Sequence, residues 1–183
     1  MILKLFGKNI AAFYKHHIMR IEYANIVRCS DAPEHSLERI ELDDFDNQLD
    51  VETTLSKTAL KKLAVSNHGR CDGYVLKDAE GVSLGTIWVM YRGGNDTEYR
   101  IRNIDAYIFD VLIDANHRGR GLAGVMIELV MDKLYEKGIA AAYLAVSKTN
   151  VPAIKAYRKI GFTTVGEKRF FRVLKINIPY HKL

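Results

Sequence analysis

The chain has 183 residues, 48% hydrophobic and 27% charged, with a net charge of +5. That length suits one domain with its own core. No apolar run approaches the roughly 20 residues that cross a bilayer as a helix. Cys29 and Cys71 lack metal-ligand or redox-pair spacing, so they read as reduced thiols of a cytoplasmic protein.

Charge placement matters more than its sum. Residues 1–20 carry Lys4, Lys8, Lys15 and Arg20 and no acid, whereas residues 31–52 hold nine acids against Arg39. A nucleic-acid binder needs a basic stripe across the fold, and this pattern excludes one. His16 and His17 are adjacent and point apart, and no metal-binding cluster is expected.

In chain order, Leu3, Phe6, Ile10 and Phe13 recur at helical spacing with lysines between them. This predicts an amphipathic N-terminal helix, docked on its own domain or touching an anionic membrane surface or a partner. It lacks the apolar core and cleavage site of a signal peptide. "RIEYANIVRC" and "HSLERIELDDF" read as strands. "VETTLSKTALKKLAVSNHG" reads as a helix capped by Thr53 or Thr54, with Gly69 past its end. "DGYVLKD" and "SLGTIWVMYR" read as a hairpin, and "TEYRIRNIDAYIFDVLID" as a long strand.

A helix over 121–138 follows, with Leu122, Val125, Met126, Leu129, Val130 and Leu134 inward and Gly138 as its stop. "AAAYLAVS" is a buried strand. "NVPAIKAYRKIG" is a short helix with Asn150 as cap, Pro152 in the first turn and Gly161 at its end. "RFFRVLKINIPY" closes the chain as a strand. With no repeat or linker, residues 1–183 read as one domain built on a mixed α/β sheet with one central crossover.

"NHRGRGLAG" (116–124) sets three glycines and two arginines between that crossover strand and its helix. Helix N-termini expose unpaired N–H groups and partial positive charge, glycines allow close backbone approach, and Arg118 and Arg120 add charge. Together they suit a phosphate or pyrophosphate. A P-loop would need Lys-Ser or Lys-Thr after Gly121, where Leu122-Ala123 stands. Gly119, Gly121 and Gly124 satisfy a dinucleotide string, but the meander before them is not a Rossmann arrangement.

Arg118-x-x-Gly121-x-Ala123 resembles the acyl-CoA signature of the GNAT superfamily of N-acetyltransferases. "NVPAIKAYRKIGF", with Asn150, Ala153, Tyr157, Gly161 and Phe162, resembles that family's later motif. The resemblance covers about residues 72–183, and residues 1–30 look like an N-terminal extension. It implies an α/β fold: a GNAT-like, mostly antiparallel mixed sheet of six to seven strands with a central splayed pair, flanked by helices, plus the N-terminal helix.

The resemblance also implies acetyl-CoA as co-substrate, no metal, and direct attack by the amine of a small molecule, an amino sugar among the options. A non-catalytic acyl-CoA sensor or scaffold and a peptide N-acetyltransferase remain alternatives, O-acetylation stays open, and a homodimer is compatible. Backbone of Val111, Leu112 and Ile113 would hold the pantetheine arm. Amides of Arg118, Gly119, Arg120, Gly121, Leu122 and Ala123 would hold the pyrophosphate. Asn150 and Ala153 would border the pantetheine. Tyr157, an ordinary phenol near pKa ~10, would protonate a leaving thiolate near ~8.5. Asp110 is the candidate base, with a water chain or a substrate-binding role as alternatives. The acidic run near "ERIELDDFD" would steer a cationic amine.

Overall fold

The computed structural model describes residues 2–5, 8–28, 34–45, 57–67, 69–93, 106–173 and 176–179. These form nine strands: β1 (Ile2–Leu5), β2 (Lys8–Glu22), β3 (Ser36–Arg39), β4 (Cys71–Lys77), β5 (Ser83–Tyr91), β6 (Ala106–Ile113), β7 (Ala141–Ser147), β8 (Thr163–Val173) and β9 (Ile176–Pro179). Three α-helices join them: α1 (Lys57–Ser66), α2 (Leu122–Glu136) and α3 (Val151–Ile160).

All nine strands make one sheet in the order β3-β4-β5-β6-β7-β2-β8-β9, with β1 paired to β2. β3 to β6 form an antiparallel meander, and the only parallel pair among the described strands is β6 with β7, joined across α2. The mixed, mostly antiparallel sheet with its central crossover is thus as the patterning indicates. The strand number exceeds the expected six to seven. The C-terminal segment contributes to that excess, because it folds back as the β8–β9 hairpin rather than one strand.

The N-terminal helix is not formed. Residues 8–22 are a strand that pairs with β7 along His16–Glu22 and with β8 along Ala11–Arg20. A strand flanked on both edges and covered on both faces keeps apolar residues at both parities, which blurs the alternation and mimics a helical period. Ile18 packs on one face of the sheet, and Met19 and Ile21 are buried on the other. Residues 8–22 therefore offer no helical stripe to a membrane, and they lie in the sheet's interior rather than beside it. "RIEYANIVRC" is correspondingly not a strand of its own: β2 ends at Glu22, and a 3-10 turn over Tyr23–Asn25 follows.

Two layers of side chains sandwich the sheet. On one face, α2 and α3 pack Leu122, Val125, Met126, Val130, Leu134, Ile154 and Ile160 against Leu76, Ile87, Ile108 and Leu144. On the other, Leu60 and Ala64 of α1 meet Phe45, Trp88, Tyr107 and Phe109. Leu129, expected inward, is half-buried. Thr53 and Thr54, the expected caps, and residues 97–105 of the expected long strand lie outside the described residues.

Past β2, Arg28 donates to Glu128 and Asp132 of α2 at 3.1 and 2.9 Å and lies over the Tyr23 ring, which stacks on Tyr135. The segment leaving the N-terminal strand is thereby fastened to the crossover helix.

Candidate active site

β6 and β7 pair at Tyr107–Tyr143 and Ile108–Leu144 and then part. β7 keeps its other edge on β2 as far as Ser147. A wedge therefore opens in mid-sheet: past Ile108, β6 is paired only with β5.

At the mouth of that wedge β6 carries a bulge. Trp88 faces Phe109 and Thr86 faces Leu112, so Asp110 and Val111 together oppose Ile87. Asp110 has φ +47°, the one described non-glycine residue in the left-handed region. The extra residue resets the parity of the strand. Ala106 and Ile108 face α2, Tyr107 and Phe109 face α1, and Val111 and Ile113 face α2 again. Without the bulge, Val111 and Ile113 would point at α1. Gly85 permits the close approach of β5 beside it, since a Cβ there would stand 2.4 Å from the Leu112 carbonyl oxygen. A glycine inside a strand is a sequence signal of such an approach, whereas the bulge has no single-sequence signature.

The glycine loop follows directly. The Asp114 carboxylate accepts from the Asn116 amide at 2.9 Å, which starts a 3-10 turn over Ala115–His117. Gly119 and Gly121 have φ +81° and +79°. Gly121 is the N-cap of α2 and supplies no side-chain cap, so the first-turn amides of Leu122 and Ala123 keep their donors for another acceptor. Arg118 Nε donates to the Ile113 carbonyl at 2.9 Å, and Arg120 lies 3.2 Å from His117 Nδ1. The loop is thus braced to the end of β6.

On α3, Asn150 Oδ1 accepts from the Ala153 amide at 3.3 Å, the cap its position implies. Tyr157 is half-buried and, like Ala153, Val111 and Ile113, packs against the core on the α2 side of the sheet. Burial pushes its phenol up to about 12. Its ring centroid lies 5.6 Å from that of Phe162. Val111, Ile113, Ala153 and Tyr157 thus all border the core layer on the α2 side, the layer covered by the helix that the glycine loop opens. Leu112 pairs with Thr86 and has the opposite parity.

Two acids of the run, Glu38 and Glu41, are engaged in ion pairs. Lys77 pairs with Glu38, and Arg39 reaches Glu41 at 3.4 Å and Asp72 at 2.8 Å. Glu41 and Asp43 line a cavity of 240 Å³ with Trp88, Cys71 and Gly73 on the α1 face. It lies over β4, two strand spacings or about 10 Å from β6. Asp72 was not singled out by its sequence context. It is buried and accepts from Tyr91 at 2.6 Å and Lys137 at 2.9 Å, tying the C-terminal end of α2 to the sheet. Among the described residues, no three His, Cys, Asp or Glu side chains are grouped to hold a metal ion.

The sequence profile of the acetyltransferase (GNAT) family matches residues 33–162. The chain belongs to that family. It is similar to streptothricin acetyltransferase of Streptomyces lavendulae, 37% identical over 93 residues, 51% of this chain and 45% of that protein. It is likewise similar to mycothiol acetyltransferase of Saccharomonospora viridis, 32% identical over 95 residues, 51% of this chain and 31% of that protein. The chain spans less than half the length of these curated relatives. A spermidine N-acetyltransferase from Vibrio cholerae shares the fold at a TM-score of 0.54 and 18% identity, over 77% of this chain and 94% of that one. In this GNAT member β2, from the N-terminal part of the chain, fills the place between β7 and β8.

Proposed function

We propose that this chain is an N-acetyltransferase that moves the acetyl group of acetyl-CoA to the primary amine of a small molecule, by direct attack in a ternary complex. The observation that carries this is the wedge. β6 and β7 part where the Asp110 bulge lies, the glycine loop follows β6, and Tyr157 of α3 packs against the same core layer as Val111 and Ile113. The edge that β6 opens past Ile108, and a helix start whose N-cap has no side chain, fit a long, flexible ligand ending in a pyrophosphate.

In this reading the backbone of Val111, Leu112 and Ile113 pairs with the pantetheine arm as a strand would. One of its amides also donates to the thioester oxygen as negative charge develops. Amides over 118–123 hold the pyrophosphate. Asn150 and Ala153 border the arm while capping α3. Asp110, at the mouth of the wedge, holds the incoming ammonium and receives its proton directly or through water. Attack forms the C–N bond and breaks the C–S bond, and the thiolate accepts hydrogen from Tyr157.

At about 12 the phenol remains protonated throughout the neutral range. Its pKa stands further from a free thiol than an ordinary tyrosine's does, but the same desolvation raises the thiol that forms beside it. Holding both reactants at one wedge supplies much of the rate through proximity. The acceptor class rests on the relatives' names, which specify streptothricin and spermidine.

Thiol release from acetyl-CoA over a panel of amines, repeated with Tyr157→Phe, tests the proposal. Turnover on at least one amine is expected. In the variant it should fall about 100-fold with acetyl-CoA affinity nearly kept. Tight acetyl-CoA binding with no turnover on any amine would instead make the chain a non-catalytic acyl-CoA binder.

A further inference from the structure

β2 lies against β7 on the side away from the wedge, in a fixed register: His16 opposite Ser147, Ile18 opposite Ala145, Arg20 opposite Tyr143. Directly opposed residues share a face of the sheet. Ile18, Ala145 and Tyr143 pack with Phe109 and Trp88 on the α1 side, whereas Met19, Leu144 and Val146 lie on the α2 side. Alternation therefore puts His16 and Ser147 on the α1 side, level with the stretch where β6 and β7 have parted. His17 projects to the opposite face, with Nδ1 3.8 Å from Glu167.

This placement has chemical content. The glycine loop opens α2, and Tyr157 packs on the α2 side. On the acetyltransferase reading, the donor would occupy that side of the wedge and the acceptor would reach the thioester carbon from the α1 side. Its amine arrives as an ammonium and must lose a proton. An ordinary carboxylate near pKa ~3.9 is a poor final holder of that proton at neutral pH, whereas an ordinary imidazole near ~6.5 is well matched. His16 is a half-buried imidazole on that face, one strand spacing of about 4.8 Å from the wedge-lining β7.

We propose that His16, from the N-terminal strand, is the terminal proton acceptor of the reaction. Asp110 holds the ammonium, and its proton passes to the His16 imidazole directly or through one water. The freed lone pair attacks the thioester, the C–N bond forms, the C–S bond breaks, and the thiolate is protonated from Tyr157. The imidazolium then returns its proton to solvent. The charged and titratable groups on this side are Arg20 and Glu22 on β2 itself, Tyr143 on β7, Tyr107 on β6 and Lys168 opposite His16 on β8, with Asp110 at the β6 bulge across the wedge.

The inference rests on the acetyltransferase reading above. Its test is the pH dependence of kcat/KM for an amine the protein turns over, in wild type, His16→Gln, His16→Asn and His17→Gln. The wild-type profile is expected to rise through one ionisation between about pH 6 and 7. Both His16 variants should lose that limb and fall about 100-fold at pH 7 with acetyl-CoA affinity within about twofold of wild type. His17→Gln should keep the limb. Either folded His16 variant retaining the limb would overturn the proposal, as would a wild-type profile with no ionisation between about pH 5 and 8. If wild type releases no thiol with any amine, both readings fall. Turnover with an unchanged limb in the His16 variants removes this one alone.

Discussion

Arg118 donates from Nε to the carbonyl oxygen of Ile113 over 2.9 Å, so the side chain marked out for phosphate also ties the loop to the last residue of β6. Arg118→Ala should weaken acetyl-CoA binding about tenfold or more, and Arg118→Lys should recover only part of it, because lysine keeps the charge but not the brace. Calorimetric titration checks this. A lysine variant equal to wild type would reduce Arg118 to a point charge.

Asp110 occupies a left-handed conformation at a bulge. Aspartate and asparagine tolerate that region, and β-branched residues do not. Asp110→Asn should keep stability within about 0.5 kcal/mol and lose turnover, whereas Asp110→Val should cost about 2 kcal/mol or more. Thermal melts beside acetylation rates separate the two. Equal melting temperatures for both variants would contradict a bulge-imposed backbone.

Gly161 ends α3 with φ +117°, and a Cβ there would lie 2.3 Å from the Asn25 carbonyl oxygen. The segment after β2 passes that point, with the Val27 amide donating to Ile160 at 2.9 Å. Gly161→Ala combines backbone strain with a clash against main chain, which cannot swing aside. A loss of about 3 kcal/mol is expected, or roughly 6–12 °C in melting temperature for a domain of this size. The effect should reach activity through the seat of Tyr157, four residues earlier.

Asp72 gives the fold an acid-sensitive point. Burial alone would raise its pKa, but hydrogen bonds from Tyr91, Lys137 and Arg39 more than offset this and hold it below the usual carboxylate range. The unfolded chain binds the proton more readily, so the contribution to stability is complete above about pH 4 and is lost as pH falls through the lower, folded value. Asp72→Asn should remove about 2 kcal/mol at pH 7 and flatten the acid limb of a stability–pH curve. An unchanged acid limb would shift that role to other carboxylates.

Local chemistry made several elements readable without coordinates. Asn150, Pro152 and Gly161 bracket α3 because cap, first turn and stop each demand a residue type within a few positions. Gly121 and Leu122 mark the start of α2 for the same reason, and the apolar residues of α2 recur at its period. The two family motifs then point to a GNAT member, as the match over residues 33–162 bears out.

Tertiary structure decided the rest. Residues 8–22 form a helix on their own pattern and a strand in the protein, because β7 and β8 offer two edges and the helices cover both faces. No local rule places the first long strand of a chain between two of its last. The bulge at Asp110 likewise depends on how β5 and β6 align, a relation between distant segments. The sequence by itself thus determined the loop that begins α2, the capped helix that carries Tyr157, and the family. Only the assembled sheet decided where the wedge opens, which way Val111 and Ile113 face, and that His16 stands one strand away from that wedge.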